Sequence, residues 1–238
     1  MEEAMPTQYK ACLVGCGRMG ATIDDEVRHR PDSSIWLPFS HAAACVACDQ
    51  TELVAVSDVL PEKAEAIRQR YDASRCYTDY REMIEVEEPD ILCVATRPAS
   101  RAEITIFAAQ HGVKGIYCEK PLCCSVEEAD AMVEAIEANN VKFNYGTQRR
   151  YMPFYRQMRE LIEAGEIGDV RCVIAQYGAT SALWGLTHAA DMLLYLAGDP
   201  EIDFVQGSII CKEEDWGDNR LNIDPAITNG YARFTNGV

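Results

Sequence analysis

A G-x-G-x-x-G motif follows the first apolar segment of the chain, and this feature constrains the fold most strongly. The segment before it, 10–16, reads KACLVGC and is typical of a buried strand. Glycines at this spacing permit a tight turn, and the amides at the start of the following helix can meet a pyrophosphate. The motif predicts a dinucleotide-binding strand–turn–helix unit, with a tight turn that binds no ligand as the alternative. The residues expected at the cofactor are Gly15, Gly17, Arg18, Met19 and Gly20.

Strand-like and helix-like segments alternate from this motif onward. Apolar segments typical of strands cover 10–16, 52–58, 90–96, 115–119 and 142–147. Segments typical of helices cover 61–71, 79–88, 101–112 and 125–140. The alternation predicts an α/β fold with a doubly wound parallel sheet. Ligands of such sheets bind at the carboxyl ends of the strands, so we expect the functional residues there.

The pattern changes after residue 150. Elements are predicted over 153–168 (helix), 169–178 (strand), 187–200 (helix), 204–211 (strand) and 230–238 (strand). The last two strands look antiparallel. Asn236-Gly237 is a strong hairpin-turn signal, yet the sequence stops one residue later. A hairpin without its second strand leaves an open sheet edge, so we expect a truncated chain with an incomplete second domain.

The formal net charge of −16 argues against a nucleic-acid partner, because a protein that binds phosphates needs a basic face. An anionic membrane surface is disfavoured for the same reason, and no apolar run reaches the ~18 residues of a membrane span. The N-terminal segment MEEAMPTQYK lacks the apolar core of a secretory signal. The eleven cysteines, an odd number, then indicate a reducing cytoplasm, where cysteine behaves as a small hydrophobe.

Three soft ligands, His41, Cys45 and Cys48, fall at the helical spacing i, i+4, i+7. Such a face can hold a metal ion. No fourth ligand is evident, and the same residues suit the packed face of a helix. We therefore predict no metal site.

Asp58 ends the second predicted strand. A carboxylate there accepts hydrogen bonds from the ribose hydroxyls of NAD and repels the 2′-phosphate of NADP. We expect NAD, with NADP left open because Ser57 beside Asp58 leaves room for both. Asp58 lies further from the glycines than the usual ~20 residues. The excess is a polar segment, 21–40, which is predicted to be an inserted surface loop, with a lid over the cofactor or substrate as the alternative.

The predicted strand 115–119 ends in Glu119-Lys120-Pro121 rather than in turn residues. Proline fixes its own φ and keeps the preceding residue out of the helical region, so Lys120 is held in place. A salt-bridged strand end is one interpretation, and a lysine fixed so that it touches a substrate is the other. The position at the carboxyl end of a parallel strand favours the second.

Eight stretches occur in order between about residue 10 and about residue 200: VGCGRMG, ELVAVSD, YTDYREMI, PDILCVATRP, CEKPL, GTQRRYMP, GEIGDV and THAADMLLYLAG. In these stretches the chain resembles the Gfo/Idh/MocA family, the relatives of glucose–fructose oxidoreductase and inositol dehydrogenase. The glycine motif alone is common to many folds. The Glu-Lys-Pro motif together with the later histidine helix is much more specific.

The resemblance implies a Rossmann domain over 1–148 and, over 149–238, a partial α/β domain on an open, mainly antiparallel sheet. It implies NAD(P)-dependent hydride transfer at a carbinol carbon of a sugar, cyclitol or related polyhydroxy compound. It assigns Lys120 to the substrate hydroxyl and His188 to proton transfer, a step for which the near-neutral pKa of histidine is suited. Relatives associate through the outer face of the second sheet, which implies a homodimer or homotetramer.

Neighbouring residues complete the predicted site. Thr96 and Pro98 are expected on the nicotinamide side, and Glu119 and Lys120 are expected with the cofactor. The residues expected at the substrate are Lys120, Tyr145, Arg149, Trp184, His188 and Asp191.

The chain departs from the family pattern near both predicted groups. Trp184 stands where dehydrogenases of the family usually carry an aspartate, four residues before the histidine. A tryptophan cannot orient a histidine as a carboxylate does, but it can stack on the apolar face of a sugar. Arg101 stands where relatives often have histidine, and with Arg97 it suggests an acidic substrate such as a uronate.

Two other functions stay open. Trp184 motivates a dinucleotide-binding sensor or regulatory protein, which would bind the cofactor without turnover. NAD-assisted glycoside cleavage, which some relatives of the family perform, would form product without net change in NADH.

Overall fold

A computed structural model of the protein describes residues 8–178 and 180–238. It divides into two compact units, the first ending at Tyr145 and the second beginning at Gly146. The sequence placed this boundary between residues 148 and 149. The structure places it at the end of the last strand of the first sheet, where the chain leaves that sheet.

The first unit is built on one six-stranded parallel sheet. Its strands are β1 (Tyr9–Val14), β2 (Thr51–Ser57), β3 (Arg75–Tyr77), β4 (Ile91–Val94), β5 (Gly115–Cys118) and β6 (Lys142–Tyr145). Their order across the sheet is β3-β2-β1-β4-β5-β6, and every neighbouring pair is parallel. This is the order of a Rossmann fold, in which two βαβαβ halves meet between β1 and β4. The predicted doubly wound sheet is confirmed.

The strands of this unit are joined mainly by helices. A π-helical turn, Arg18–Thr22, follows the glycine loop, and the α-helices are α1 (Asp24–Val27), α2 (Ser33–Trp36), α3 (His41–Ala47), α4 (Pro61–Arg70), α5 (Tyr80–Glu87), α6 (Pro98–Gln110) and α7 (Val126–Ala138). Side-chain oxygens of Ser40, Asp79 and Ser125 accept backbone N–H groups at the starts of α3, α5 and α7. Helices α4 and α6 begin instead at a proline, which is favoured in a first turn. No helix in the described part of the chain is long and apolar enough to cross a membrane.

Both faces of the parallel sheet are buried. In β1, Cys12 and Val14 belong to one apolar cluster, whereas Ala11 and Leu13 belong to a second cluster. In β4, Cys93 likewise lies in the second cluster. Successive residues of a strand point to opposite faces, so these alternating memberships mean that helices cover the sheet on both sides. The cysteines of β1 and β4 are core residues, as expected from the sequence.

The inserted segment 21–40 is closed at its base by hydrogen bonds that are buried or partly buried. The Asp24 carboxylate accepts the backbone N–H groups of Phe39 (3.0 Å) and Ser40 (2.9 Å). The Tyr71 hydroxyl donates to the Ala21 carbonyl at 2.6 Å and lies 3.3 Å from the Ser40 hydroxyl. The two ends of the insertion are therefore tied together and to α4, while the short helices α1 and α2 lie between them.

The second unit contains a small antiparallel sheet and two longer helices. Its elements are a 3₁₀ turn (Gln148–Tyr151), α8 (Pro153–Glu163), β7 (Thr180–Ser181), α9 (Leu186–Ala197), β8 (Ile202–Ile210), a 3₁₀ turn (Glu213–Asp215), β9 (Trp216–Gly217), β10 (Arg220–Leu221) and β11 (Ala226–Phe234). Strand β11 pairs antiparallel with β8 on one side and β7 on the other, and β9 pairs with β10. The antiparallel sheet predicted for the second domain is confirmed.

The prediction of a strand over 169–178 is wrong. This segment has no regular structure, and nearly all of its side chains are exposed. A strand needs a neighbour for its backbone N–H and C=O groups, and within the described part of the second unit no strand pairs with this segment. The segment shows partial apolar alternation, but neither face of it is buried: Val173 is half-buried and Ile174 is exposed.

Candidate functional site

Two of the three glycines of the loop after β1 are required by sterics. Gly15 has φ +98°, and a Cβ atom there would lie 2.8 Å from the carbonyl carbon of Ala95. A Cβ atom at Gly20 would lie 1.9 Å from the Gly15 carbonyl oxygen. The loop therefore turns sharply against the end of β4, and the π-helical turn that follows packs directly on it.

Gly17 differs from these two glycines, and it supplies the test of whether a dinucleotide fits. Its φ of −83° is open to any residue, and a Cβ atom there would meet no described atom within 4 Å. The glycine thus leaves open space beside the loop rather than relieving a clash within the protein. This is the arrangement that a pyrophosphate approaching a backbone requires, so the residues present fit the group.

Asp58 lies beside the glycine loop, as predicted. One carboxylate oxygen accepts the backbone N–H of Cys16 at 2.9 Å, and the other accepts that of Leu60 at 3.0 Å. An ionised carboxylate has about four acceptor positions, so Asp58 keeps capacity for hydroxyl donors. The Cys16 thiol in the same loop is buried, and burial, followed by the charge of Asp58, raises its pKa to about 12, which leaves it protonated and unreactive at neutral pH.

Arg18 of the glycine loop is held by the inserted segment. Its guanidinium makes two parallel hydrogen bonds of 2.7 Å to the Glu26 carboxylate, and both side chains are about half exposed. Met19 is half-buried, with its sulfur 4.0 Å from an Arg18 nitrogen. Glu26 belongs to α1, so a residue of the insertion reaches a predicted cofactor residue. The sequence pattern did not reveal this pairing.

The carboxyl end of β4 carries the residues expected on the nicotinamide side. Thr96 is half-buried, and its hydroxyl accepts a hydrogen bond from Ser100 at 3.1 Å. Pro98 is half-buried and begins α6. Both residues therefore lie where the chain turns from β4 into a helix, at the same edge of the sheet as the glycine loop and Asp58.

The carboxyl end of β5 carries two buried charged residues. Glu119 is 5 % and Lys120 6 % exposed. A Glu119 oxygen lies 3.2 Å from His41 Nε2, and the other accepts the backbone N–H of Lys120 at 3.1 Å. Burial alone raises the pKa of Glu119, but the hydrogen bond and charge of His41, followed by Arg101 and Lys120, outweigh it and lower the pKa overall. Glu119 is therefore an anion that fixes the backbone at Lys120.

His41 is a member of this site that sequence reasoning assigned elsewhere. It begins α3 and is buried, with its ring centroid 4.6 Å from that of Tyr117. Cys45, on the same helix, has its sulfur 3.7 Å from that of Cys93, whereas Cys48 is exposed. The three predicted soft ligands thus have separate surroundings. No group of three or more potential metal ligands is present among the described residues.

Arg101 does not have the surroundings expected for a residue that recognises an acidic substrate. Its side chain is 3 % exposed, and its guanidinium donates to the carbonyl oxygens of Thr96 and Pro121. The guanidinium is therefore bonded to the protein backbone and buried, rather than presented to a ligand. Arg97, four residues earlier, is exposed.

The second unit holds the predicted His188 and Asp191 on α9. His188 lies in the first turn of this helix and is half-buried. One Asp191 oxygen accepts two hydrogen bonds from Arg150, at 2.8 and 2.6 Å, and the Arg150 guanidinium also reaches Asp199 at 3.1 Å. Burial lowers the pKa of Arg150, but Asp191 and then Asp199 raise it overall. Arg150 thus fixes the carboxylate that follows His188 by one turn.

Three further predicted residues differ in exposure. Trp184, in the turn before α9, is 47 % exposed, and its backbone N–H donates to Asp224 at 2.9 Å. Tyr145 ends β6 in the first unit and is half-buried. Arg149, in the 3₁₀ turn of the second unit, is exposed. Among these, Trp184 offers a broad apolar surface held on a fixed turn, which is what stacking on a sugar requires.

A parallel sheet in this strand order, with a glycine loop after β1 and an aspartate after β2, defines a dinucleotide-binding Rossmann protein. The family model described as "Oxidoreductase family, NAD-binding Rossmann fold" matches residues 9–147. The chain belongs to this family, Gfo/Idh/MocA, and the resemblance seen in the motifs is confirmed. The family description also agrees with the predicted nicotinamide cofactor, NAD.

Named relatives support the same assignment. The chain is 27% identical over 188 residues to myo-inositol 2-dehydrogenase of Thermotoga maritima, an alignment that covers 73% of this chain and 56% of the relative. It is 29% identical over 165 residues to scyllo-inositol 2-dehydrogenase (NAD(+)) of Bacillus subtilis, covering 69% of this chain and 43% of the relative. The chain therefore spans about half the length of these relatives.

A solved structure shows the same fold. Scyllo-inositol dehydrogenase from Lactobacillus casei, with bound NAD(H) and scyllo-inositol, superimposes with a TM-score of 0.68 at 20% identity. The match covers 87% of this chain and 61% of that one. At this identity the likeness concerns the fold, and the chemistry has to be argued from the residues of this chain.

Proposed function

We propose that the protein is an NAD-dependent oxidoreductase that transfers a hydride between the nicotinamide and a carbinol carbon of a sugar, cyclitol or related polyhydroxy compound. The observation that carries the proposal is the arrangement at one edge of the first sheet. There a glycine loop open at Gly17 lies beside the Asp58 carboxylate, and the buried Lys120 follows the end of β5. The inositol dehydrogenases among the relatives support the substrate class.

The bound cofactor supplies the hydride acceptor or donor, and this chain supplies the remaining functions. The loop around Gly17 receives the pyrophosphate, and Asp58 accepts hydrogen bonds from the ribose hydroxyls. Because a 2′-phosphate beside Asp58 would meet a like charge, NAD is preferred over NADP. Thr96 and Pro98 line the nicotinamide side.

Oxidation of an alcohol also requires removal of a proton from its oxygen. The Lys120 ammonium holds the substrate hydroxyl and favours its ionised form through its charge. His188 takes the proton as general base. Asp191, fixed by Arg150, and Tyr145 and Arg149 contact the other hydroxyls, while Trp184 stacks on the apolar face of the ring.

We also propose self-association through the sheet of the second unit, as a homodimer or homotetramer. Exposed apolar side chains of β8 and β11, among them Phe204, Val205 and Tyr231, support this. Light scattering measures it, and a monomer at micromolar concentration would contradict it. The assignment to the cytoplasm stays a prediction, compatible with eleven free cysteines.

Turnover by a Lys120→Ala variant tests the catalytic proposal. The variant should bind NADH as the wild type does, yet lose about 10²–10³-fold in turnover, the loss that follows removal of one group that stabilises developing charge. NADH formation is followed by absorbance with scyllo-inositol, myo-inositol and a panel of sugars. Lys142→Ala is the control, because this exposed lysine begins the neighbouring strand β6 at its opposite end.

The same assay separates the alternatives. Full turnover in the Lys120→Ala variant would remove Lys120 from the mechanism. Cofactor binding by the wild type without turnover on any polyol would favour a sensor protein. Product formation without net NADH would favour NAD-assisted glycoside cleavage.

A further inference from the structure

Arg101 joins two loops of the first unit that carry different parts of the proposed site. It lies in the first turns of α6, and its side chain is almost completely buried. One terminal nitrogen of its guanidinium donates to the Pro121 carbonyl and the other donates to the Thr96 carbonyl. A single side chain thus bonds to the backbone after β4 and to the backbone after β5.

The two carbonyls flank the residues proposed to meet the nicotinamide and the substrate. Thr96 is itself one of the nicotinamide-side residues, and Pro98 follows two positions later. Pro121 follows Lys120 directly. Strands β4 and β5 are already paired, and beyond their ends one planar guanidinium, whose donors point in fixed directions, links the loop of Thr96 to the backbone that follows Lys120.

The surroundings of Arg101 show that stability alone does not explain an arginine at this position, because its charge is buried. Burial lowers the pKa of Arg101, while nearby Cys118, followed by Glu119, only partly offsets that effect. Its Nε is buried without a hydrogen-bond acceptor among the described residues. An apolar side chain of similar volume fills a buried site without desolvating a charge. What the guanidinium adds is the pair of directed bonds to the two backbones.

We propose that Arg101 is a positioning residue that holds the loop of Thr96 and Pro98 at a fixed distance from Lys120, so that nicotinamide and substrate hydroxyl meet in the reactive geometry. The inference rests on the proposed function and assigns Arg101 no contact with either ligand. It accounts for the burial of an arginine whose position suggested substrate recognition. A small misalignment of nicotinamide and substrate lowers the rate by a large factor, so loss of Arg101 should lower both turnover and nicotinamide affinity.

The test compares two ligands that share the adenosine half. ADP-ribose contains the parts proposed to meet the glycine loop and Asp58, whereas NADH also carries the nicotinamide. In an Arg101→Met variant the ADP-ribose affinity should stay within about twofold. NADH affinity should fall about tenfold, because a loop that is no longer held has to be ordered when the nicotinamide binds. Calorimetry measures both dissociation constants, and circular dichroism and thermal unfolding verify the fold.

Two further variants make the comparison specific. Arg101→Lys keeps the charge but reaches one carbonyl at a time, so it should recover part of the lost NADH affinity. Arg68→Met is the matched control. Arg68 also donates to a backbone carbonyl, that of Ala73, but it lies on α4 beside the edge strand β3. This control should leave the ratio of NADH to ADP-ribose affinity unchanged.

The outcomes separate this inference from the proposed function. A folded Arg101→Met or Arg101→Lys variant with the wild-type affinity ratio would overturn the inference alone. Equal losses of NADH and ADP-ribose affinity, or failure of both variants to fold, would make Arg101 a general stability residue and overturn it as well. A wild-type chain that binds neither ligand would remove the proposed function and the inference with it.

Discussion

Alanine at Gly20 should lower stability, whereas alanine at Gly17 should leave stability intact and lower cofactor affinity. A Cβ atom at Gly20 would lie 1.9 Å from the Gly15 carbonyl oxygen, about 1.5 Å short of the 3.4 Å at which ordinary contact begins. That oxygen is backbone, so the loop itself must move. Overpacking of this kind costs about 1–3 kcal/mol. For a chain of this size the melting temperature should fall by about 2–4 °C per kcal/mol.

Gly17 has none of these constraints. Its φ of −83° suits alanine, and a Cβ atom would extend into open space. Replacement should leave stability equal or raise it by about 0.4–1 kcal/mol, because alanine restricts the unfolded chain. The same methyl group would occupy the side from which the pyrophosphate approaches. NADH affinity should therefore fall at least tenfold, which corresponds to about 1.4 kcal/mol.

The assay is a urea unfolding curve and an NADH fluorescence titration on each variant. Gly17→Ala should unfold at the wild-type midpoint or above it and bind NADH poorly. Gly20→Ala should unfold at lower urea. If Gly17→Ala binds NADH as tightly as the wild type does, the open side of the loop is not the dinucleotide site. If Gly20→Ala is as stable as the wild type, the close packing of the loop is wrongly described.

Two predictions concern the buried carboxylates of the first unit. Because the folded-state pKa of Glu119 is lowered, its charge stabilises the fold above its unfolded pKa of about 4.3, and this contribution disappears as the pH falls through the lowered value. Glu119→Gln should cost about 1–3 kcal/mol at pH 7 and progressively less below about pH 4; a pH-independent difference in urea unfolding would contradict this. Asp24→Ala leaves the amides of Phe39 and Ser40 without their acceptor and should cost about 1–3 kcal/mol by the same measurement. The exposed neighbour Asp25, whose pairs are screened by solvent, is its control, and equal effects of the two substitutions would show that the base of the insertion is not fixed by Asp24.

The parallel sheet was predictable because its signals are local. A strand such as 91–94 is a continuous apolar run, and Pro98 at the start of α6 and Ser125 before α7 mark helix starts within a few residues. The glycine loop and the Glu-Lys-Pro segment also carry their chemistry in adjacent residues. For these parts the sequence pattern and the structure agree closely.

Contacts between distant segments were not predictable in this way. His41 meets Glu119 across 78 positions and Arg150 meets Asp191 across 41, and no local pattern marks either pair. The burial of Arg101 was not predictable for the same reason, since it depends on two loops that only the folded sheet brings together. The strand expected over 169–178 had partial apolar alternation, but a strand also needs a neighbouring strand, which one segment of sequence cannot reveal.

The most direct test of the account is a fluorescence titration of the purified chain with NADH and, separately, with NADPH, repeated on an Asp58→Ala variant. The wild-type chain should bind NADH saturably and NADPH more weakly, and the variant should lose NADH affinity so that this preference is reduced. A folded chain that binds neither cofactor, or a variant that binds NADH as the wild type does, would contradict the assignment of the glycine loop and Asp58 to a dinucleotide.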